Sequence, residues 1–184
     1  AMMAALIMGT FIAAPRVLLG VSRELRTREQ GARALRTIET ALRGSNFNTH
    51  TGTVEIQVFS AYNDTTSALA PGVIGTYISI INPNFSASDL PESPSGHFGF
   101  YYYAPPDSAE GGIYFNPDAD HAPNPALNPR LIRSGRIVGF EVRQENLGNA
   151  VWIHIVGDTR ANLASPASES KRIHLVASVR PRIG

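Results

Sequence analysis

The stretch from Met2 to Arg43 constrains this chain more than any other. Residues 1–21, AMMAALIMGTFIAAPRVLLGV, are apolar apart from Thr10, Arg16 and the small residues. They run without a strong turn signal into SRELRTREQGARALRTIETALR, where apolar residues recur at helical spacing. One long helix over 1–44 is expected, with an apolar half (1–21) and an amphipathic half (22–44). At 1.5 Å per residue, roughly 40 helical residues reach about 60 Å, twice a bilayer core and far beyond an ordinary globular helix. Something other than its own globule must bury the first half.

Within this helix Leu18, Val21, Leu25, Ala32, Leu35, Ile38 and Leu42 follow spacings of three, four and seven, which predicts a single apolar stripe with the arginines opposite. Pro15 lacks a backbone donor and its ring crowds the carbonyl of Phe11, so a kink or an unwound turn is expected between them. Gly44, followed by Ser45 and Asn46, predicts the helix stop. About 20 apolar residues suffice for a membrane span, although Gly9, Pro15, Arg16 and Gly20 suit a segment that leaves lipid for a protein bundle. The start has neither the basic region nor the cleavage site of a secretory signal. Because it begins inside an apolar run, a few residues are expected ahead of Ala1.

After Gly44 the character changes to short alternating segments separated by Gly, Pro, Asn and Ser. Thr53–Ser60 sets Val54, Ile56 and Val58 against Glu55 and Gln57, the pattern of a half-buried strand. Gly75–Ile81, His97–Tyr103 and Gly112–Phe115 follow. Ile137–Gln144, with Val138, Phe140 and Val142 on its inner face, Val151–Val156 and Arg172–Arg180 complete the set. The expected fold class is α+β: the long helix packed on a C-terminal antiparallel β-sheet domain over 45–184. Three long loops, Asn82–Gly96, Ala104–Gly111 and Asn116–Asn128, are expected to be binding surfaces or decoration.

A formal charge of +1 over 184 residues argues against nucleic acid as the main partner, because phosphate binding needs a concentrated basic face. Arg23, Arg26, Arg28, Arg33, Arg36 and Arg43 alternate with Glu24, Glu29 and Glu39, which reads as a solvated helix face. Without cysteine there is no disulfide framework and no thiolate metal site. Hydrolase, nucleotide-binding and zinc-protease motifs do not occur.

The histidines, His50, His97, His121, His154 and His174, are scattered; the last two are expected on strands, facing outward or satisfied within the core. Asn116-Pro-Asp118-Ala-Asp120-His121 places two carboxylates at alternate positions, making Asp118 and Asp120 candidate Ca²⁺ ligands against a plain solvated turn. No other cofactor is expected. HFGFYYY at 97–103 puts Phe98, Phe100 and Tyr102 on one face and Tyr101 and Tyr103 on the other, either a platform for ligand stacking or a strand packed on both sides. Asn63-Asp-Thr65 and Asn84-Phe-Ser86 are sequons.

The apolar helix interrupted at Pro15, its amphipathic continuation to a glycine, and the following β domain resemble the type IV pilin-like superfamily, above all minor pilins and the minor pseudopilins of type II secretion. The closing segments Ile137–Val142, Val151–Ile155 and Lys171–Arg180 are similar to the closing strands of larger minor members. The family's peptidase site, methylated first residue and glutamate at the fifth mature position have no counterpart ahead of Ala1. The resemblance implies a structural filament subunit rather than an enzyme, displayed at the cell surface. The resemblance further implies that it would wait in the inner membrane before assembly and then join a periplasmic or extracellular filament. Its partners would be copies of itself or related subunits, met through Leu6, Gly9, Phe11, Pro15 and Leu18, with small residues permitting close helix approach. Two other readings stand beside it. One is a membrane-anchored β module that binds a glycan or other ligand through Tyr101 and Tyr103; the other is an anchored hydrolase using Asp118, Asp120 and His121.

Overall fold

The computed structural model describes residues 2–45, 56–106, 111–132, 136–145, 150–159 and 171–181, with the backbone alone for 2–18 and 136. Helix α1 spans Met2–Arg43 without a break. The unwound turn expected at Pro15 is therefore absent; a proline removes one hydrogen bond, and the helix continues around the loss.

Seven strands follow: β1 (Ile56–Phe59), β2 (Tyr77–Ile81), β3 (His97–Tyr103), β4 (Gly112–Asn116), β5 (Arg136–Gln144), β6 (Val151–Asp158) and β7 (Arg172–Val179). Each falls on an expected segment, though residues 53–55 of the first segment lie outside the described residues. The strands form two antiparallel sheets, β1-β2-β3-β4 and β5-β6-β7. This corrects the expected α+β, pilin-like layout of a long helix packed on an antiparallel β-sheet domain: strands dominate, and they divide into two sheets of four and three.

The reason lies between β4 and β5. Pro117, Pro123, Pro125 and Pro129 lack the N–H that a continuous ladder needs. That segment instead covers the edge of β4 with two isolated bonds, Phe115 N to Pro129 O (2.9 Å) and Leu131 N to Ile113 O (2.8 Å). The chain then crosses to a new sheet. Local bridges join the two sheets, among them the reciprocal pair between Gly75 and Val142 (2.8 and 2.9 Å). Residue 75 lies so close to the end of β1 that a Cβ there would be 2.1 Å from the Phe59 carbonyl oxygen, which restricts the position to glycine.

The core fills the space between the inner faces of the two sheets and the later half of α1. Ile78, Ile80, Phe98, Phe100, Ile113 and Phe115 face it from the first sheet and Phe140, Val142, Ile153 and Ile155 from the second. Phe85, from the loop after β2, stacks on Phe98 with ring centroids 4.6 Å apart and closes one end. Inside β5 the register shifts between Ile137 and Gly139. The bulge turns Ile137 into the core and leaves Val138, expected there, only half-buried, since one extra residue flips the alternation.

Helix α1 lies against β6 and β7. Its buried positions are Thr27, Gly31, Ala34, Ile38, Ala41 and Leu42, one stripe at spacings of three and four. A Cβ on Gly31 would sit 2.3 Å from Leu175 Cδ1, so the small residues set how closely helix and sheet approach. At the helix end, Asn82 Nδ2 donates to the Ala41 carbonyl (2.9 Å) and Ser45 Oγ to that of Leu42 (2.7 Å). Gly44 leaves room for Asn82, whose amide nitrogen would lie 2.4 Å from a Cβ there.

Candidate functional site

Where the buried stripe ends, α1 continues. Leu19, Val21 and Leu25 are 55 %, 50 % and 62 % exposed. The expected stripe ran Val21 and Leu25 into Ile38 and Leu42; the molecule separates them. At 100° per residue Leu25 stands about 160° around the helix from Thr27, facing away from β6 and β7. Nearer the sheet, Glu24 is held by Lys171, the only lysine of the chain, at 2.8 Å and by Arg28 at 2.8 Å. Hydrogen bonding to Lys171 lowers the Glu24 carboxyl below its usual range. This ion pair is where α1 and β7 part.

The side chains of Leu6, Gly9, Phe11, Pro15 and Leu18, expected as filament-core contacts, lie outside the described residues. Among the described residues no helix is long and apolar enough to cross a membrane. That overturns the expected inner-membrane placement. Past Leu19, Arg23, Glu24, Arg26 and Arg28 put charge on successive turns, and each would be costly in hydrocarbon.

The outer face of the first sheet carries the other expected candidates. Asp118 Oδ2 accepts from His121 Nδ1 (2.8 Å), and Asp118 Oδ1 caps the Asp120 backbone N–H (3.2 Å). Asp120 Oδ1 accepts from His97 Nδ1 (2.7 Å), which leaves His97 Nε2 to accept from the Ser79 hydroxyl (2.6 Å). The two carboxylates thus face different histidines. Among the described residues no three His, Asp or Glu side chains are grouped as metal ligands. The hydrolase set Asp118, Asp120 and His121 is likewise divided.

Sequence reasoning missed the Ser79–His97–Asp120 relay, because residues from β2, β3 and the loop after β4 meet only through pairing. Ser79 is buried at 3 % exposure, so the relay pins the loop to the sheet and offers no hydroxyl to solvent.

The aromatic strand packs on both faces. Tyr101 is wholly buried, stacked on Tyr62 and Tyr114 (5.4 and 5.6 Å). Tyr103 meets the same two rings edge-on (5.3 and 5.8 Å). Burial pushes the Tyr77 hydroxyl up to about 12 against a hydrogen bond from Asn116, and raises Tyr101 as well. A platform needs open ring faces, and here the rings occupy one another.

A groove of about 840 Å³ runs between α1 and the loop after β2, lined by Arg33, Thr37, Phe85, Asp89, Leu90 and Arg130 among others. Arg33 pairs with Asp89 across it. Comparison of the chain with family models, curated proteins and solved structures finds no match.

Proposed function

We propose that this chain is a structural subunit of a type IV pilus-like filament or secretion pseudopilus, joined to copies of itself or to related subunits through the early half of α1. The observation that carries this reading is the early helix, where Leu19, Val21 and Leu25 are exposed and Val21 and Leu25 lie within about 40° of each other on the side turned away from the sheet. The preceding sequence to Met2 is apolar and rich in small residues, which suits close helix contact. Burying each of the three exposed side chains against a neighbour is worth about 2 kcal/mol, which favours shared helices. The two sheets and their loops would then face outward and set which subunits sit side by side.

The test compares the full chain with a Val21→Glu, Leu25→Glu variant by sedimentation and electron microscopy. The wild type should form fibres or large oligomers. The variant should stay monomeric with an unchanged melting temperature, because neither side chain is buried in its own subunit. A wild type that remains monomeric at every concentration, or a variant that assembles equally well, would rule the reading out.

A further inference from the structure

At the outer edge of the second sheet we propose that the chain pairs with a second copy of itself, β7 against β7, to form one antiparallel six-stranded sheet. Four strands end a sheet in this molecule, and three of them are closed. At β1, Leu69 N–H donates to the Val58 carbonyl (2.7 Å) and Gln144 Nε2 to that of Ile56. At β4 the proline-rich segment supplies the cover, and β5 is bulged and bridged to Gly75 and Gly111. Such devices keep a sheet edge from adding a foreign strand. β7 carries none of them. It matches β6 one-to-one over all eight residues, with no proline and, from Ile173 to Val179, no arginine, lysine or carboxylate. Among the described residues no backbone group bonds along its other side.

The parity of the strand tells which groups lie open. The Lys171 carbonyl accepts from Thr159 N on the β6 side (3.2 Å), so in an antiparallel ladder Ile173, Leu175, Ala177 and Val179 also turn their backbone groups to β6. Arg172, His174, Val176 and Ser178 therefore direct their N–H and C=O groups outward. A helix cannot satisfy them, because its own groups are paired internally; an extended strand can. In a population of this chain, the open edge available to β7 among the described residues is another β7, which makes a second copy the occupant.

A two-fold axis beside Leu175 sets Arg172 opposite the copy's Ser178 and His174 opposite its Val176. All the outward groups then pair, and no like charges meet. On the inner face Leu175, half-buried in the single chain, covers its counterpart, and half-buried Ala177 meets the copy's Ile173. On the outer face Val176, 55 % exposed, packs beside the copy's His174, whose counterpart in this chain is held by His154 at 2.9 Å. Both helices lie on one face of the joined sheet and run in opposite directions. A two-fold pair is closed, so it joins subunits side by side without extending a filament, and it does not rest on the contact proposed for the early half of α1. One strand edge buries less than about 1,200 Å², the range of transient contacts, so a subunit lacking the α1 contact still sediments as a monomer when dilute.

The chain has no cysteine, so introduced ones can trap the pair. In the full chain carrying Val21→Glu and Leu25→Glu, an equal mixture of Arg172→Cys and Ser178→Cys proteins should form disulfide dimers under mild oxidation about tenfold faster than either protein alone. Directly opposed residues lie within disulfide reach, whereas residue 172 or 178 stands about 20 Å from its own counterpart. His174→Cys mixed with Val176→Cys should behave likewise. Val73→Cys, on an exposed turn elsewhere, sets the rate of random collision. Val176→Pro removes an N–H that faces the edge and none that faces β6, so it should abolish trapping in the first mixture. A mixture no faster than Val73→Cys, or one that Val176→Pro leaves unchanged, overturns the pairing. Faster trapping by Val176→Cys alone than by either mixture overturns the register.

Discussion

Between Thr27 and Leu42, α1 turns Gly31, Ala34, Ala41 and Ile38 inward on the side of β6 and β7; between Leu19 and Arg26 the same helix leaves Leu19, Val21 and Leu25 half or more exposed. Hydrophobicity alone does not separate the two halves, since Leu19, Val21 and Leu25 are comparable to the buried Ile38 and Leu42 and outrank the buried Gly31, Ala34 and Ala41. Fit decides instead. A sheet carrying Leu175 at the contact admits the helix closely where Gly31 lets the backbone approach. The bulky residues Leu19, Val21 and Leu25 on the early half are left exposed, as the proposed subunit contact requires.

Four substitutions test that contrast. The largest effect should come from Ile38→Ala, which empties a fully buried position and should cost about 3 kcal/mol in urea unfolding, against a change within about 0.5 kcal/mol for Leu25→Ala. Equal losses at the two positions would erase the distinction between the halves.

Asn82→Ala comes next. It removes the donor to the Ala41 carbonyl and the acceptor for Asn84 N–H (3.1 Å), and should cost about 1–2 kcal/mol, with faster amide exchange confined to the last turn of α1. Uniform exchange along the whole helix would show that Asn82 does not fix its end.

The smallest effect belongs to Lys171→Ala, where α1 leaves the sheet. The Glu24 carboxyl is lowered by its Lys171 hydrogen bond, so its contribution is present above the usual carboxylate range and lost as pH falls through the lowered value. The variant should match the wild type at acid pH and fall slightly below it near neutrality. The difference should vanish in high salt, as for any exposed pair. A gap that persists at acid pH would assign Lys171 a role other than pairing with Glu24.

Much of the fold was legible because alternation is a local property. The strands after Gly44 stand out as apolar residues at every second position, and His97–Tyr103 emerged with its expected bounds. The helix was legible for the same reason, as was its end near Gly44. What escaped was pairing. Nothing in Gly112–Phe115 announces that β4 will be the last strand of its sheet, and nothing in Ile137–Gly139 announces a bulge that exchanges Val138 for Ile137. The side-chain clusters suffered likewise. Asp118, Asp120 and His121 looked like a unit because they are neighbours in sequence, yet Asp120 turns to His97 and, through it, to Ser79. His154 and His174, twenty positions apart, meet because a diagonal across two strands is short.

The sequence by itself determined where the backbone is helical and where it is extended, since those preferences depend on residues within a few positions of one another. It also determined that an apolar rod precedes a β-rich body. Only the tertiary structure decided that this body divides into two sheets, which stripe of α1 is covered, and which histidines and carboxylates share a proton. Those outcomes depend on how closely distant surfaces can approach, and the missing side chains at Gly31, Gly44 and Gly75 help set that limit.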